Sequence, residues 1–129
     1  MNMMTNQLQC TEVKVISSEQ FDRIQFVGKR SLDESIKIWS DLSQLVNSSH
    51  KNLLIEDSMT GIMNANEVGY LIEFIRNSNL YKNKKIAIVL KEGSAYNFRL
   101  FEIIAKHCGI CIKHFKFEKE ASKWLTQTY

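Results

Sequence analysis

The chain has 129 residues, 44% hydrophobic and 24% charged, a balance that excludes a disordered polymer and suits one domain with its own core. Three cysteines, an odd number, argue against a disulfide framework and agree with a reducing compartment. The net charge of +3 is too small to point to nucleic acid, and no apolar run approaches the length of a membrane span.

Charge is unevenly placed. Residues 1–80 carry 7 Lys/Arg against 10 Asp/Glu, and residues 81–129 carry 10 against 4. The plain reading is a solvated lysine-rich surface. The sharper one is an anionic partner: a phosphorylated protein, a small anionic ligand or an acidic membrane surface. Residues 1–10, MNMMTNQLQC, show no basic flank followed by an apolar stretch. They are expected to form a tail ahead of one domain over 11–129, without a signal peptide and with the cytoplasm as location.

The predicted elements then follow in order. Thr11–Ser17 (TEVKVIS) and Phe21–Val27 (FDRIQFV) alternate with period two and are joined by SSEQ, which predicts a hairpin ended by Gly28. Ser31 opens a helix, with Ser31 and Glu34 in capping-box positions and Leu32, Ile36, Trp39, Leu42 and Val46 as its apolar stripe. Asn52–Ile55 (NLLI) is a short continuous apolar run, expected to be a strand covered on both sides, and the loop EDSMTG follows. Asn64 and Glu67 repeat the capping pattern ahead of a stripe of Val68, Leu71, Ile72 and Ile75. Lys85–Leu90 (KIAIVL) predicts a second buried strand. After KEGS comes a helix over about Ala95–Cys108, with Phe101, Ile104, Ala105 and Cys108 inward and Gly109 at its C-terminal cap. Ile110–Phe115 is the last strand, and Ala121, Trp124 and Leu125 mark a final short helix. The order β-β-α-β-α-β-α-β-α predicts an α/β fold: a small mixed sheet of about five strands flanked by helices.

From Asn52 to Leu125 the sequence resembles STAS-like proteins. NLLIEDSMTGIMNANEV is similar to their strand, loop and helix start. The IAIVL strand, Arg99-Leu100-Phe101-Glu102, the strand ending in Phe115 and Glu-Ala-Ser-Lys-Trp-Leu at 120 to 125 are similar to the SpoIIAA-like branch of that superfamily. The resemblance implies a regulatory, non-catalytic role through a protein partner, by ligand sensing or by serine phosphorylation. It also implies kinship in fold with CRAL-TRIO lipid-transfer domains. One departure stands out. Anti-sigma-factor antagonists carry an Asp-Ser-Ser-Gly type sequence at the start of the helix after the loop, where this chain reads Asn64-Ala65-Asn66-Glu67. The phospho-accepting serine of partner switching has no counterpart there.

Several constellations bear on chemistry. Asp57, Ser58, Thr60 and Asn64 belong to or follow the loop after one buried strand, and Lys91, Gly93 and Ser94 to the loop after the next. Loops at the carboxyl ends of strands are where open α/β sheets bind ligands, and amides ahead of a helix can hold an anion. With Arg99 nearby they form the candidate ligand- or partner-binding set; Ser58 and Ser94 are the candidate phosphorylation sites. The same residues in turns would equally cap helices and meet water. His107, Cys108, Cys111 and His114 spell H-C-x-x-C-x-x-H. Cys108 closes a helix, where the macrodipole disfavours a thiolate, and strand alternation should send Cys111 and His114 to opposite faces. Both cysteines are therefore expected in the core, with neither a redox nor a metal role and no cofactor. Glu56 and Asp57 should point to opposite sides of their strand and so not act as paired carboxylates; no Ser-His-Asp order stands out, and no glycine-rich phosphate loop motif is read in the sequence. Tyr96, Phe98, Phe101, Phe115, Phe117 and Trp124 should mostly be core, or in part line an apolar pocket.

The leading expectation is a non-catalytic STAS-like module acting on a protein partner. A carrier of a lipid or other small apolar ligand would instead need a cavity of roughly several hundred Å³. A small enzyme would need Asp57 and Lys91 to converge on one cleft. A homodimer through a sheet edge or an apolar helix face is compatible with the pattern.

Overall fold

Two segments have no polar face to give to water, and they become the middle of the sheet. In the computed structural model, which describes residues 12–17, 20–46, 49–91 and 98–127, these are β3 (Asn52–Asp57) and β4 (Ile86–Leu90). Every residue of β4 is buried, as are Leu53, Leu54 and Ile55 of β3. Around them lie β1 (Glu12–Ser17), β2 (Phe21–Val27) and β5 (Ile112–Phe115), in the spatial order β1-β2-β3-β4-β5. Strands β2 to β5 are parallel, and β1 pairs antiparallel with β2 at one edge, the hairpin expected from the sequence.

The helices are α1 (Leu32–Leu45), α2 (Ala65–Asn77), α3 (Phe98–His107) and α4 (Glu118–Thr126). The first three each connect neighbouring parallel strands. Such crossovers are right-handed, and because the sheet grows in one direction all three helices fall on the same face. There Ile24, Phe26, Leu53, Ile55, Ile86 and Ile88 meet Ile38, Trp39, Leu42, Val68, Leu71, Ile72, Phe101 and Ala105 in the main core. The opposite face carries Phe21, Leu54, Ala87 and Val89, one residue out of phase along the same strands. The terminal helix α4 covers it with Ala121 and Leu125. Among the described residues no helix is long and apolar enough to cross a membrane.

Local signals act largely as expected. Asn64 and Glu67 complete a capping box: the Glu67 amide donates to Asn64 Oδ1 and the Asn64 amide to Glu67 Oε1, each at 2.9 Å. Gly109 ends α3 at φ +80°, and the Ile110 amide donates to Ala105 O, a Schellman-type closure. That bond withdraws Ile110 from the ladder, so β5 begins at Ile112 and not at Ile110.

Three expectations are corrected. At α1 only half of a capping box forms: the Glu34 amide donates to Ser31 Oγ at 3.2 Å, but the Ser31 amide donates to Lys29 O. The α1 stripe is also wider than expected: Trp39, Leu42 and Val46 are buried and Leu32 and Ile36 pack partly buried on the core, but Ser35 and Ile38 are buried as well. Finally, β3 runs two residues further than its apolar stretch, so Asp57 is the last strand residue and not part of the loop.

Truncating Ile55, fully buried under the helical layer, should cost about 2–5 kcal/mol as Ile55→Ala, against about 1 kcal/mol for the cap variant Asn64→Ala; urea unfolding of the two checks the ranking.

Candidate functional site

The candidate site lies at the carboxyl ends of β2 and β3, where the chain leaves each strand toward a helix. The two exits stay zipped together. The Ser58 amide donates to Phe26 O at 2.9 Å, the Thr60 amide to Gly28 O at 2.9 Å and the Arg30 amide to Thr60 O, so that Lys29 and Thr60 form one further parallel bridge.

Side chains lock this arrangement. Alternation along β3 turns Asp57 toward the helical layer and Glu56 to the other face, the opposition expected from the sequence; Glu56 there meets Arg23, which also pairs with Glu118 of α4. The Asp57 carboxylate is 5% exposed. Its Oδ1 accepts from Arg30 Nη2 at 2.7 Å and from the Met59 amide at 2.9 Å. Arg30 also donates through Nη1 to Gly61 O at 2.7 Å. Gly61 has φ +105°, and a Cβ there would stand 3.0 Å from Arg30 O, so glycine is needed both for the turn and for the close approach. Burial raises the Asp57 carboxyl above its ordinary range, and the Arg30 charge and the Met59 amide only partly oppose this.

The predicted site residues divide. Ser58 and Thr60 are exposed on the loop that this clamp fixes, beside Ile62, which is 60% exposed. Asn64 is the α2 cap described above. Lys91 is brought next to Asp57 through the backbone, its amide donating to Asp57 O at 3.0 Å, but its side chain is at the surface. Arg99 is exposed on α3 and does not line the cleft. Gly93 and Ser94, with Tyr96, lie outside the described residues. Arg30, Ser35 and Gly61, which the sequence reading did not select, turn out to shape the site.

Behind the clamp is a small pocket between sheet and helices. Phe26, Trp39, Met59, Met63, Phe98 and Phe101 supply apolar walls, Arg30, Ser35 and Asp57 the polar ones, and Gly61 and Ile62 the rim. Its volume is about 50 Å³, room for about three waters. The cavity of several hundred Å³ that a lipid carrier needs is not found between sheet and helices among the described residues, because the aromatic and methionine side chains fill that space. A larger depression, about 570 Å³, lies at the opposite, amino-terminal ends of the strands; it is open and lined by Asn52, Tyr81, Lys82, Asn83, Lys84 and Lys85.

The cysteine and histidine cluster is dispersed. Cys108 is half-buried at the end of α3, whereas Cys111 precedes β5 and is exposed, which corrects its expected core position. His114 Nδ1 lies 2.6 Å from Glu102 Oε2, which also accepts from the His114 amide, and the ring packs on Phe98. Among the described residues no three His, Cys, Asp or Glu side chains gather as a metal would require. Of the expected core aromatics, Phe98 and Phe101 are buried, Phe115 and Trp124 partly so against α4, and Phe117 is exposed.

The fold has a solved counterpart. The chain is similar to the crystal structure of an uncharacterized protein from the DUF3478 family with a SpoIIAA-like fold, from Shewanella loihica PV-4. The TM-score is 0.55 and the sequence identity 14%, over 90% of this chain and 94% of that one. The fold of this chain is thus SpoIIAA-like. No family model and no curated protein matches the sequence.

Removing Arg30 leaves a buried carboxylate without a counter-charge, so Arg30→Ala should cost about 3–5 kcal/mol at neutral pH. Because the folded-state pKa of Asp57 is already raised, the folded form binds that proton more tightly than the unfolded chain. Stability from this group is therefore present at low pH and is lost as pH rises from the ordinary carboxylate range through the raised value. Loss of Arg30 widens that window. The deficit of Arg30→Ala should be larger at about pH 7 than at about pH 5, and the double variant with Asp57→Asn should lose the difference. Urea titrations at the two pH values check both points.

Proposed function

We propose that this chain is a non-catalytic SpoIIAA-like module that presents the loop between β3 and α2 to a protein partner. The observation that carries the reading is the display of Ile62 on a hydrogen-bonded loop. An aliphatic side chain 60% exposed shares its loop with the exposed Ser58, Thr60 and Gly61, and that loop is held by a buried ion pair and three backbone bonds to the β2 exit. An apolar anchor with a polar rim, fixed before contact, loses little conformational entropy on docking.

The chemistry around the loop supports a binding role. One oxygen of Asp57 is spent on Arg30 and the Met59 amide, and the side chains of Lys91 and Arg99 stand outside the pocket. Lys91, exposed at the end of β4 beside the Asp57 end of β3, favours a partner with an acidic face.

A photo-crosslinking residue at position 62 should give a discrete adduct in the native host, whereas one at Ile103, exposed on α3, should not. Excess unlabelled protein should compete the adduct away, and protein carrying Ile62→Asp should fail to compete. Equal labelling from both positions, or substrate turnover abolished by a change in the loop, would overturn the reading. Mass spectrometry of the same native protein reports whether Ser58 carries phosphate.

A further inference from the structure

Two polar groups of the pocket have unused hydrogen-bonding capacity. Ser35 is 3% exposed and lines the pocket from α1. Its amide donates to Ser31 O in the ordinary helical pattern, but among the described residues its hydroxyl has no partner. Asp57 spends Oδ1 on two donors, and its Oδ2 likewise has none. A buried hydroxyl and a buried carboxylate oxygen each carry a desolvation penalty unless something bonds them. Apart from Arg30, which pairs with Asp57, the remaining walls are mostly apolar and aromatic.

We propose that this pocket is a binding site for the hydroxyl end of a small neutral alcohol. The hydroxyl donates to Asp57 Oδ2 and accepts from Ser35, and the hydrocarbon part lies against Trp39, Met59 and Phe98 and leaves over the rim at Gly61 and Ile62. Charge selects the class. Arg30 and Asp57 neutralise each other, so the pocket is neutral as a whole. A carboxylate would meet the Asp57 charge, and an ammonium would have to leave water beside Arg30. A hydroxyl is both donor and acceptor and brings no charge. Size sets the limit: about 50 Å³ seats a head of about three or four heavy atoms, and anything longer must extend through the rim. Met59 and Met63, flexible and polarisable, can adjust to its shape. The site does not depend on the proposed partner; its only link to that reading is that Gly61 and Ile62 serve both.

The test is an amide NMR titration of the whole chain with three probes of nearly equal shape: 1-propanol, propylammonium and propionate. 1-Propanol should shift the Ser35, Met59 and Gly61 amides saturably at millimolar concentration, and the two ions should not. Ser35→Ala should bind 1-propanol about fivefold more weakly while melting no lower than the parent, since it removes a hydroxyl without a protein partner. Three results would overturn the proposal: equal shifts with all three probes, unchanged 1-propanol binding by Ser35→Ala, or ordered waters on Ser35 and Asp57 that a 1-propanol soak of crystals fails to displace. A lowered melting temperature of Ser35→Ala would also count against it, since the hydroxyl would then have a partner inside the protein.

Discussion

The ion pair between Arg30 and Asp57 is the constraint on which the upper end of this molecule depends. It is not a simple source of stability. Burial raises the carboxyl of Asp57 even with the guanidinium 2.7 Å away, so desolvation outweighs the attraction at that atom. What the pair supplies is geometry. Arg30 holds the carboxylate with one nitrogen and the Gly61 carbonyl with the other, which joins the exit of β2 to the exit of β3 across 27 to 31 residues of chain. Together with the three backbone bonds between the two exits, the pair holds the chain from Asp57 to Gly61, the residue before Ile62.

The topology explains why the site is narrow. In doubly wound sheets the wide ligand crevice opens where the strand order reverses and neighbouring helices go to opposite faces. Here β2 to β5 follow one another without reversal, so α1, α2 and α3 remain side by side on one face and no crevice opens between them. The small pocket lies near the carboxyl ends of β2 and β3, where Trp39, Phe98 and Phe101 line it. The helix described on the other side, α4, covers the second apolar face; its pairing with Arg23 through Glu118 ties it to the same sheet.

Much of this was legible in the sequence because it is local. Period-two and continuous apolar runs gave the strands, the full Asn64–Glu67 box gave the start of α2, and Gly109 gave the end of α3. The errors have physical causes of two kinds. Some are local competition: the Schellman closure takes the Ile110 amide from β5, and the Ser31 amide turns back to Lys29 O instead of completing a box. The rest are long-range. Nothing in the neighbourhood of Arg30 announces a carboxylate 27 residues on, and the neutralised Asp57 looks in sequence like any polar residue opening a loop. Ser58 and Thr60 were selected for being polar and near a strand end, which placed them correctly on the loop but could not distinguish them from the residues that hold it.

The remaining omission concerns the stripe of α1. Helical spacing finds its apolar residues, all of which meet the core, but a serine is not expected in an apolar layer, and the helix turns Ser35 inward as well. Asp57 is the same kind of exception, a carboxylate continuing an apolar strand by two residues. Local patterns and global folds agree wherever folding alone sets the residue; a polar side chain kept at a core position runs against that agreement and calls for a compensating gain. Of the three buried polar residues among those described, Asp22 bonds Ser49 away from the pocket, whereas Ser35 and Asp57 both line it. Each of these two has bonding capacity that the described residues leave unused. The ion pair accounts for Asp57 Oδ1 and nothing else. The free oxygen beside it and the hydroxyl of Ser35 therefore belong to a single question of binding, not to two separate accidents of packing.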